Sequence, residues 1–571
     1  MYGKDWYSLS LRYLKGYALK NGDIRRDVHI AIYDFDFRVA ESALISIIKA
    51  ERPSLIGFSA FVWNMDKIIH LSKNIKELLS HVKIVVGGPQ VAYKPLEILA
   101  QYPSLDFIIK GEGEITFQEL LLNILGKGKP LSEIDGLAYR DGDGLKENPD
   151  RAPIEDLNEI PSPYLDGCAD GLPGEIAIWE TFRGCVFNCA YCTWTSRKLR
   201  FYSGQRLMKE LRYFIKQRAN HIHIIDSDVS LNRKNLRRPF QIILKNSPPI
   251  KSMSAFMHIE NLNPKDVELY AKLPLGVLEI GLQTTNPSVL KNIQRSWNKG
   301  RFERNWHIIK DDPHRKFELF IDLIIGLPGD DHESFKKSLR YVIENLKPEK
   351  VMLFLLQILR GSQLHKMTNS YGFEVEGEHS YWVKSSLSYS RLDMLKSKIL
   401  AFSYYLIYMM QQTAGQFKSI LIEKLKIMEF QLIESLAVWF EENPARLPHW
   451  FHTEFLAPIF TDQQWSSNLA KNDKDDFMNP QWSNFISPDS KNEMAKKNLD
   501  LGAIEKLPID CSDLSFGQYK DYMQRRLIEA LNEVMPEFMR CLVSKYGEGN
   551  NPEEWISAYH FSHFIDFIKN A

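Results

Sequence analysis

Residues 183–194 read RGCVFNCAYCTW, which places Cys185, Cys189 and Cys192 at C-x3-C-x2-C. Three thiolates on one tight loop can each take one iron of a [4Fe–4S] cube, leaving the fourth iron without a protein ligand. Such an open iron invites a substrate. Zinc is a competing reading, and it wants a fourth Cys or His close by. The candidates downstream, His221 and His223, sit on a strand whose alternation turns both to one face. Buried structural cysteines are the third reading, although a Gly-flanked loop with Phe187, Tyr191 and Trp194 among its cysteines is a poor core segment. The remaining cysteines, Cys168, Cys511 and Cys541, are scattered. Six in 571 residues are too few for a disulfide scaffold, so a reducing, cytoplasmic setting with a metal site is expected.

A loop of this kind needs rigid elements on both sides. The runs EIAIWE (175–180), HIHIID (221–226), MSAFMHI (253–259), GVLEIGLQT (276–284), KFELFIDLIIGLP (316–328) and KVMLFLLQIL (350–359) are strand-like and separated by helical stretches. That alternation predicts a partial (β/α)6 barrel over 175–368, with chemistry at the C-terminal strand ends, and the cysteine loop follows the first strand directly. Upstream, VHIAIY (28–33), SLIGFS (54–59), VKIVVGG (82–88), DFIIKGEGE (106–114) and DGLAYR (135–140) alternate with amphipathic runs. They predict an α/β, Rossmann-like domain over 1–140 with parallel strands, and three of its strands run into Gly or Ser loops where such sheets bind ligands. Residues 141–174 carry Pro149, Pro153, Pro161, Pro163 and Pro173 and read as a linker draped over the surface. Beyond residue 369 the strand signal fades, and a mostly helical C-terminal domain is expected over 369–571, irregular between about 441 and 518.

Lys plus Arg and Asp plus Glu both number 72, so no global field argues for nucleic acid or for a cationic partner. The N-terminal MYGKDWYSLSLRYLKGYALK lacks the apolar segment and cleavage site of a secretory signal. The greasiest stretches, 351–359 and 399–410, are too short for a membrane helix and read as a buried strand and a buried helix.

With these residues in view, nearly the whole of 1–370 resembles the cobalamin-binding branch of the radical S-adenosylmethionine (SAM) enzymes. The resemblance implies that Cys185, Cys189 and Cys192 hold the cluster, that SAM chelates its open iron, and that Tyr191 lies beside the adenine. HIIDSDVSLN (223–232) is similar to a segment with polar contacts to SAM, giving Asp226 and Asp228, while Ser227 and Val229 stand where relatives have Arg and Phe. EIGLQTTNPSVLKNIQR (279–295) implies Gln283 and Arg295 at SAM, and DLIIGLPGDDHESF (322–335) the segment under the adenine. His258 and Glu260 sit where they reach the barrel mouth.

The N-terminal domain resembles the corrinoid domain of that branch through IGFSAFVWN (56–64), IVVGGPQVAY (84–93) and IIKGEGE (108–114). The resemblance implies cobalamin contacts from Gly57, Ser59, Phe61, Val62, Trp63, Asn64, Gly87, Gly88, Pro89, Gln90, Gly111, Glu112, Gly113 and Glu114. The five glycines are expected to let backbone approach a bulky corrin. No DxHxxG occurs; DVHIAI (27–32) is nearest, with Ile32 where Gly is required. No histidine is therefore expected below cobalt, and Phe61, Val62 and Trp63 are the candidates to cover that face, against ordinary helix-entry packing. Relatives open with a strand before the loop matching MYGKDWYSLSLRYL, so the sheet is expected one strand short unless another segment fills the slot.

The resemblance implies a methyltransferase that moves a methyl group from SAM, by way of methylcobalamin, to a carbon of a small-molecule or peptide substrate. A second SAM is cleaved to a deoxyadenosyl radical, with electrons from a flavodoxin or ferredoxin. Radical rearrangement or ring contraction, and polar methylation of an aromatic carbon, are the enzyme alternatives. A corrinoid carrier with a relic barrel is the non-enzymatic one, disfavoured by the intact cysteine triad. An RNA-modifying role is disfavoured by the lack of N-terminal cluster cysteines and of a basic C-terminal module.

Overall fold

Short apolar runs set the first three strands of the N-terminal domain, β1 (Leu55–Ser59), β2 (Lys83–Gly87) and β3 (Phe107–Ile109), and more polar runs the next two, β4 (Leu137–Asp141) and β5 (Gly144–Glu147). The computed structural model describes residues 7–35, 39–142, 144–167, 172, 175–194, 198–246, 250–376, 379, 381–414, 422–423, 425–443, 537–538 and 540–541. The sheet runs β1-β2-β3-β4-β5, with β1 to β3 parallel and β4 and β5 antiparallel. Val82, Ile84, Val86 and Ile108 pack under one helical layer, and Val85, Phe107 and Ile109 pack under the helix Glu114–Ile124 on the other face.

Three expectations for this region need correction. The run 135–140 is not parallel, because residues 125–136 carry the chain back to the C-terminal end of β3, where Lys110 N donates to Gly136 O at 2.8 Å, so β4 must descend. The run 28–33 forms no strand. Val28 and Ile30 pack near Leu55 and Phe117, yet among the described residues the ladder of β1 runs to β2 alone. The segment 141–174 is not merely draped either. Its start forms β5, and Ile154, Leu157, Ile160 and Tyr164 are buried in the core of the second domain.

That second domain begins with β6 (Ile176–Trp179). A two-residue hairpin follows, β7 (Phe182–Arg183) against β8 (Arg200–Phe201), with the cysteine loop hanging between its arms. Then come β9 (His221–Ile224), β10 (Ser252–Phe256), β11 (Leu275–Gln283), β12 (Glu318–Ile325) and β13 (Lys350–Leu355). The six long strands are all parallel in the order β13-β12-β11-β10-β9-β6, an unclosed barrel wall as expected.

An unclosed wall leaves edge amides to satisfy. At β13 they are met by the helix Arg391–Ala414, where Val351 N donates to the Tyr404 hydroxyl at 2.6 Å and Leu353 N to the Tyr405 hydroxyl at 3.1 Å. The greasy run 399–410 thus lies in a helix, buried over 399–407, against an edge strand. Among the described residues no helix is long and apolar enough to cross a membrane. A small hairpin, β14 (Glu374–Glu376) and β15 (Trp382–Ser385), lies in the region expected to be helical. The helix Glu429–Glu442 packs its Phe430, Ile433 and Phe440 into the same core. Most of the expected irregular segment 441–518 lies outside the described residues, as do Cys168 and Cys511.

Candidate active site

The cysteine loop is pinned from three directions. Below it, Ala190 N donates to Ile293 O at 2.9 Å; behind it, Leu364 N donates to Ala190 O at 2.9 Å and Gln363 Nε2 to Asn188 Oδ1 at 2.7 Å. At its root, Ser227 Oγ donates to Gly184 O at 2.8 Å. Cys185, Cys189 and Cys192 are all free thiols. Burial pushes the Cys185 and Cys192 thiols up, and each neighbouring thiol adds to the shift. Among the described residues no three His, Cys, Asp or Glu side chains converge to hold a single metal ion. Zinc would need that convergence. In a [4Fe–4S] cube each thiolate takes a different iron, so three separated thiols on one loop fit the cube.

Arg295 stands against this loop. Its guanidinium donates to Gly281 O and lies 3.4 Å from the Tyr191 hydroxyl, 3.5 Å from Cys189 Sγ and 3.2 Å from the His258 ring. His258 stacks on Phe187 with ring centroids 4.1 Å apart, and burial, then Arg295, pushes its imidazole down to about 3. The ring is therefore neutral and holds the loop by stacking. Gln283 reaches the same place through a local irregularity. The β11–β12 register shifts between Gly281 and Gln283, and Gln283 has φ 70°, a left-handed conformation that non-glycine residues adopt mainly under constraint. A Cβ at Gly281 would stand 2.4 Å from Gln283 Nε2, so a larger residue there would make the end of that side chain shift.

Three buried polar atoms on this wall have no hydrogen-bond partner: Asp228 Oδ2, Gln283 Oε1 and Asp322 Oδ1. Orphan acceptors beside a buried guanidinium suit a ligand carrying both charges, as SAM does in its amino-acid portion. Asp228 is held by Ser230 N at 2.9 Å and His258 N at 3.3 Å, and burial raises its carboxyl to about 6. Glu260 is half-buried near Arg295, its carboxyl pushed up by burial. Asp322, which the sequence reading missed, faces Gly281 from β12. Burial, then the Glu279 carboxyl, pushes it well above the usual carboxylate range. The signal available was a lone acid in each of two apolar runs, LEIGLQ and LFIDLII.

Asp226 is a correction. Expected to contact SAM, it is fully buried beneath the loop, accepting from Thr181 N at 2.8 Å, the Thr181 hydroxyl and Phe182 N at 3.4 Å. It ties the end of β6 to the end of β9, and burial raises it to about 8. Val229 is core.

The corrinoid candidates lie at the C-terminal ends of β1, β2 and β3, where an open α/β sheet binds ligands. Beyond Ser59, Asn64 closes a turn by accepting from Phe61 N at 2.7 Å and donating to Ser59 O at 2.9 Å. Phe61 and Trp63 stack at 4.5 Å across half-buried Val62. The glycines divide. A Cβ at Gly88 would fall 2.4 Å from Ala60 O, so that glycine serves a close approach of two protein loops rather than of a corrin. Gly113 packs on Leu14, and Gly57 and Gly87 meet ordinary contacts. Gly111, at φ 65°, borders open space. Pro89 opens a short helix, and Gln90 is buried and donates to the Tyr381 hydroxyl at 3.3 Å. Glu112 and Glu114, expected at cobalamin, are instead ion-paired to the cysteine hairpin.

Comparison with known proteins fits this geometry. The B12 binding domain family matches residues 2–121, and the Radical SAM superfamily matches residues 179–342. The chain therefore belongs to the cobalamin-binding radical SAM enzymes, whose cofactors are a [4Fe–4S] cluster, SAM and cobalamin. It is 26% identical over 348 residues to the cobalamin-dependent radical SAM methyltransferase TokK of Streptomyces tokunonensis, covering 58% of this chain and 51% of TokK. It is 26% identical over 341 residues to the 2-(S-pantetheinyl)-carbapenam-3-carboxylate methyltransferase of Streptantibioticus cattleyicolor, covering 56% and 49%. The match thus spans about half the length of these curated relatives. The cobalamin-dependent SAM radical enzyme OxsB, solved with aqua-cobalamin and SAM bound, shares the fold at TM-score 0.56 and 14% identity, over 95% of this chain and 78% of that one.

Proposed function

We propose that this protein is a cobalamin-dependent radical SAM methyltransferase that places a methyl group on a carbon of a small-molecule or peptide substrate. The observation that carries the reading is a cluster loop, a polar pocket of orphan acceptors and Arg295, and a Rossmann-like domain whose β3 loop is ion-paired to that cluster loop. Cysteines 185, 189 and 192 hold the cluster. Arg295 offers its fork to the SAM carboxylate, and Gln283 and Asp228 offer acceptors to its donors. Asp322 and Glu279 line the same wall. Gly111 and the stacked Phe61–Trp63 pair face the corrinoid. Bound there, the cluster supplies the electron for reductive SAM cleavage and the corrinoid carries the methyl group.

The two curated relatives named above, TokK and the Streptantibioticus cattleyicolor enzyme, are methyltransferases, which favours methyl transfer over rearrangement. The departure of the Asp226–Val229 segment from its relatives, at Ser227 and Val229, is what keeps polar methylation open as an alternative. Both have structural work here, Ser227 bracing the cysteine loop and Val229 filling the core. The reading is tested with methyl-deuterated SAM and an anaerobically reconstituted protein offered candidate substrates. Deuterium in a new C–methyl group supports it. A rearranged product without label contradicts it.

A further inference from the structure

Glu112 sits in the loop after β3, beside Gly111, where the sequence reading placed a corrinoid contact. Its carboxylate turns instead to the second domain. It takes both terminal nitrogens of Arg200, with Nη1 at 2.9 Å, and lies 3.5 Å from Arg183 Nη1. Arg183 and Arg200 are direct register partners across β7 and β8, the hairpin whose arms emit and receive the cysteine loop. Arg183 stands two positions before Cys185. It also pairs with Glu114 at 2.8 Å and Glu180 at 3.2 Å, and its guanidinium lies over the Tyr13 ring. Arg200 Nη1 also donates to Ile154 O at 2.6 Å. Burial pushes the Glu112 carboxyl up, but Arg200 and Arg183 hold it below its usual value, so it is ionised.

Bidentate Arg–carboxylate pairs fix orientation as well as distance, and a buried one loses both when either partner goes. Here one carboxylate grips both arms of the hairpin from the neighbouring cofactor loop. We propose that Glu112 is a positioning residue that sets the spacing between the corrinoid and the cluster, clamping the β3 loop to the root of the cysteine loop. This rests on the reading that both cofactors bind. Tyr13 on the helix Leu9–Ala18 and Glu114 also meet the hairpin, both at Arg183, whereas Glu112 reaches Arg183 and Arg200 together.

The test is pulsed dipolar EPR between cob(II)alamin and the reduced cluster in the full-length holoprotein, with iron and cobalt counted. Glu112→Gln should shift and broaden the distance distribution while both cofactors stay bound. Arg200→Lys, which keeps the charge but loses the fork, should do the same and stands in if Glu112→Gln does not fold. Glu119→Gln, which breaks a pair to Arg151 and Lys129 away from the hairpin, should leave the wild-type distribution. An unchanged distribution in Glu112→Gln overturns the clamp. So does loss of cobalamin alone, which would make Glu112 a corrinoid contact. Absence of either paramagnet in the wild type overturns the cofactor reading beneath it.

Discussion

At residue scale Cys189 is central, because it is a proposed cluster ligand and its sulfur lies 3.5 Å from Arg295 Nη1. Cys189→Ala should remove nearly all cluster iron and its EPR signal, whereas the same change at exposed Cys541 should remove none. Equal loss in both would contradict the assignment. Asp226 makes a different kind of prediction. Its carboxyl rises from 3.8 to about 8 on folding, so the folded state holds a proton that the unfolded chain releases above its own, lower value. The stability it contributes is fully present below the unfolded value and is lost as pH rises through about 8. Asp226→Asn keeps the shape without the titration. Melting temperatures should therefore fall less with rising pH in the variant than in the wild type over that window, and parallel curves would contradict it.

Edges separate what the elements reveal. The unclosed barrel wall is capped at β13 by Tyr404 and Tyr405, so Tyr404→Phe should strand the Val351 amide at a cost of roughly 1–3 kcal/mol. Hydrogen exchange at Val351 should speed up by the corresponding factor. At β1 no such cap exists among the described residues, Gly57 is exposed and its neighbours half-buried. Its amides turned away from β2 should exchange much faster than those of β2, and protection equal to that of β2 would mean a further strand pairs there. These edges also mark how much was legible in the sequence. The six parallel barrel strands were, because each is an apolar run bounded by helical periodicity. The antiparallel turn of β4 was not, since DGLAYR alternates identically in either direction. Nor was the failure of 28–33 to form a strand, because a strand-like pattern does not reveal whether a ladder is made. Cysteine spacing is local and was readable. The convergence of Gln283, Arg295, His258 and Asp322 depends on a bulge and on four separate segments, and only resemblance pointed to part of it.

For the whole molecule, the two domains matter through their joint chemistry. The Glu112–Arg200 pair and the buried anchors from 154–164 join the Rossmann-like sheet to the barrel domain, and the proposed reaction needs both cofactors in one turnover. Radical methylation makes that demand stoichiometric, since one SAM gives up its methyl group and another is cleaved to the radical. The measurement that tests this most directly is the ratio of S-adenosylhomocysteine to 5′-deoxyadenosine per methylated product, taken anaerobically with a low-potential reductant and corrected by a substrate-free control. The account predicts the two in near-equal amounts, each matching product. Methylated product accumulating without matching deoxyadenosine, or deoxyadenosine with no stoichiometric S-adenosylhomocysteine, would contradict it.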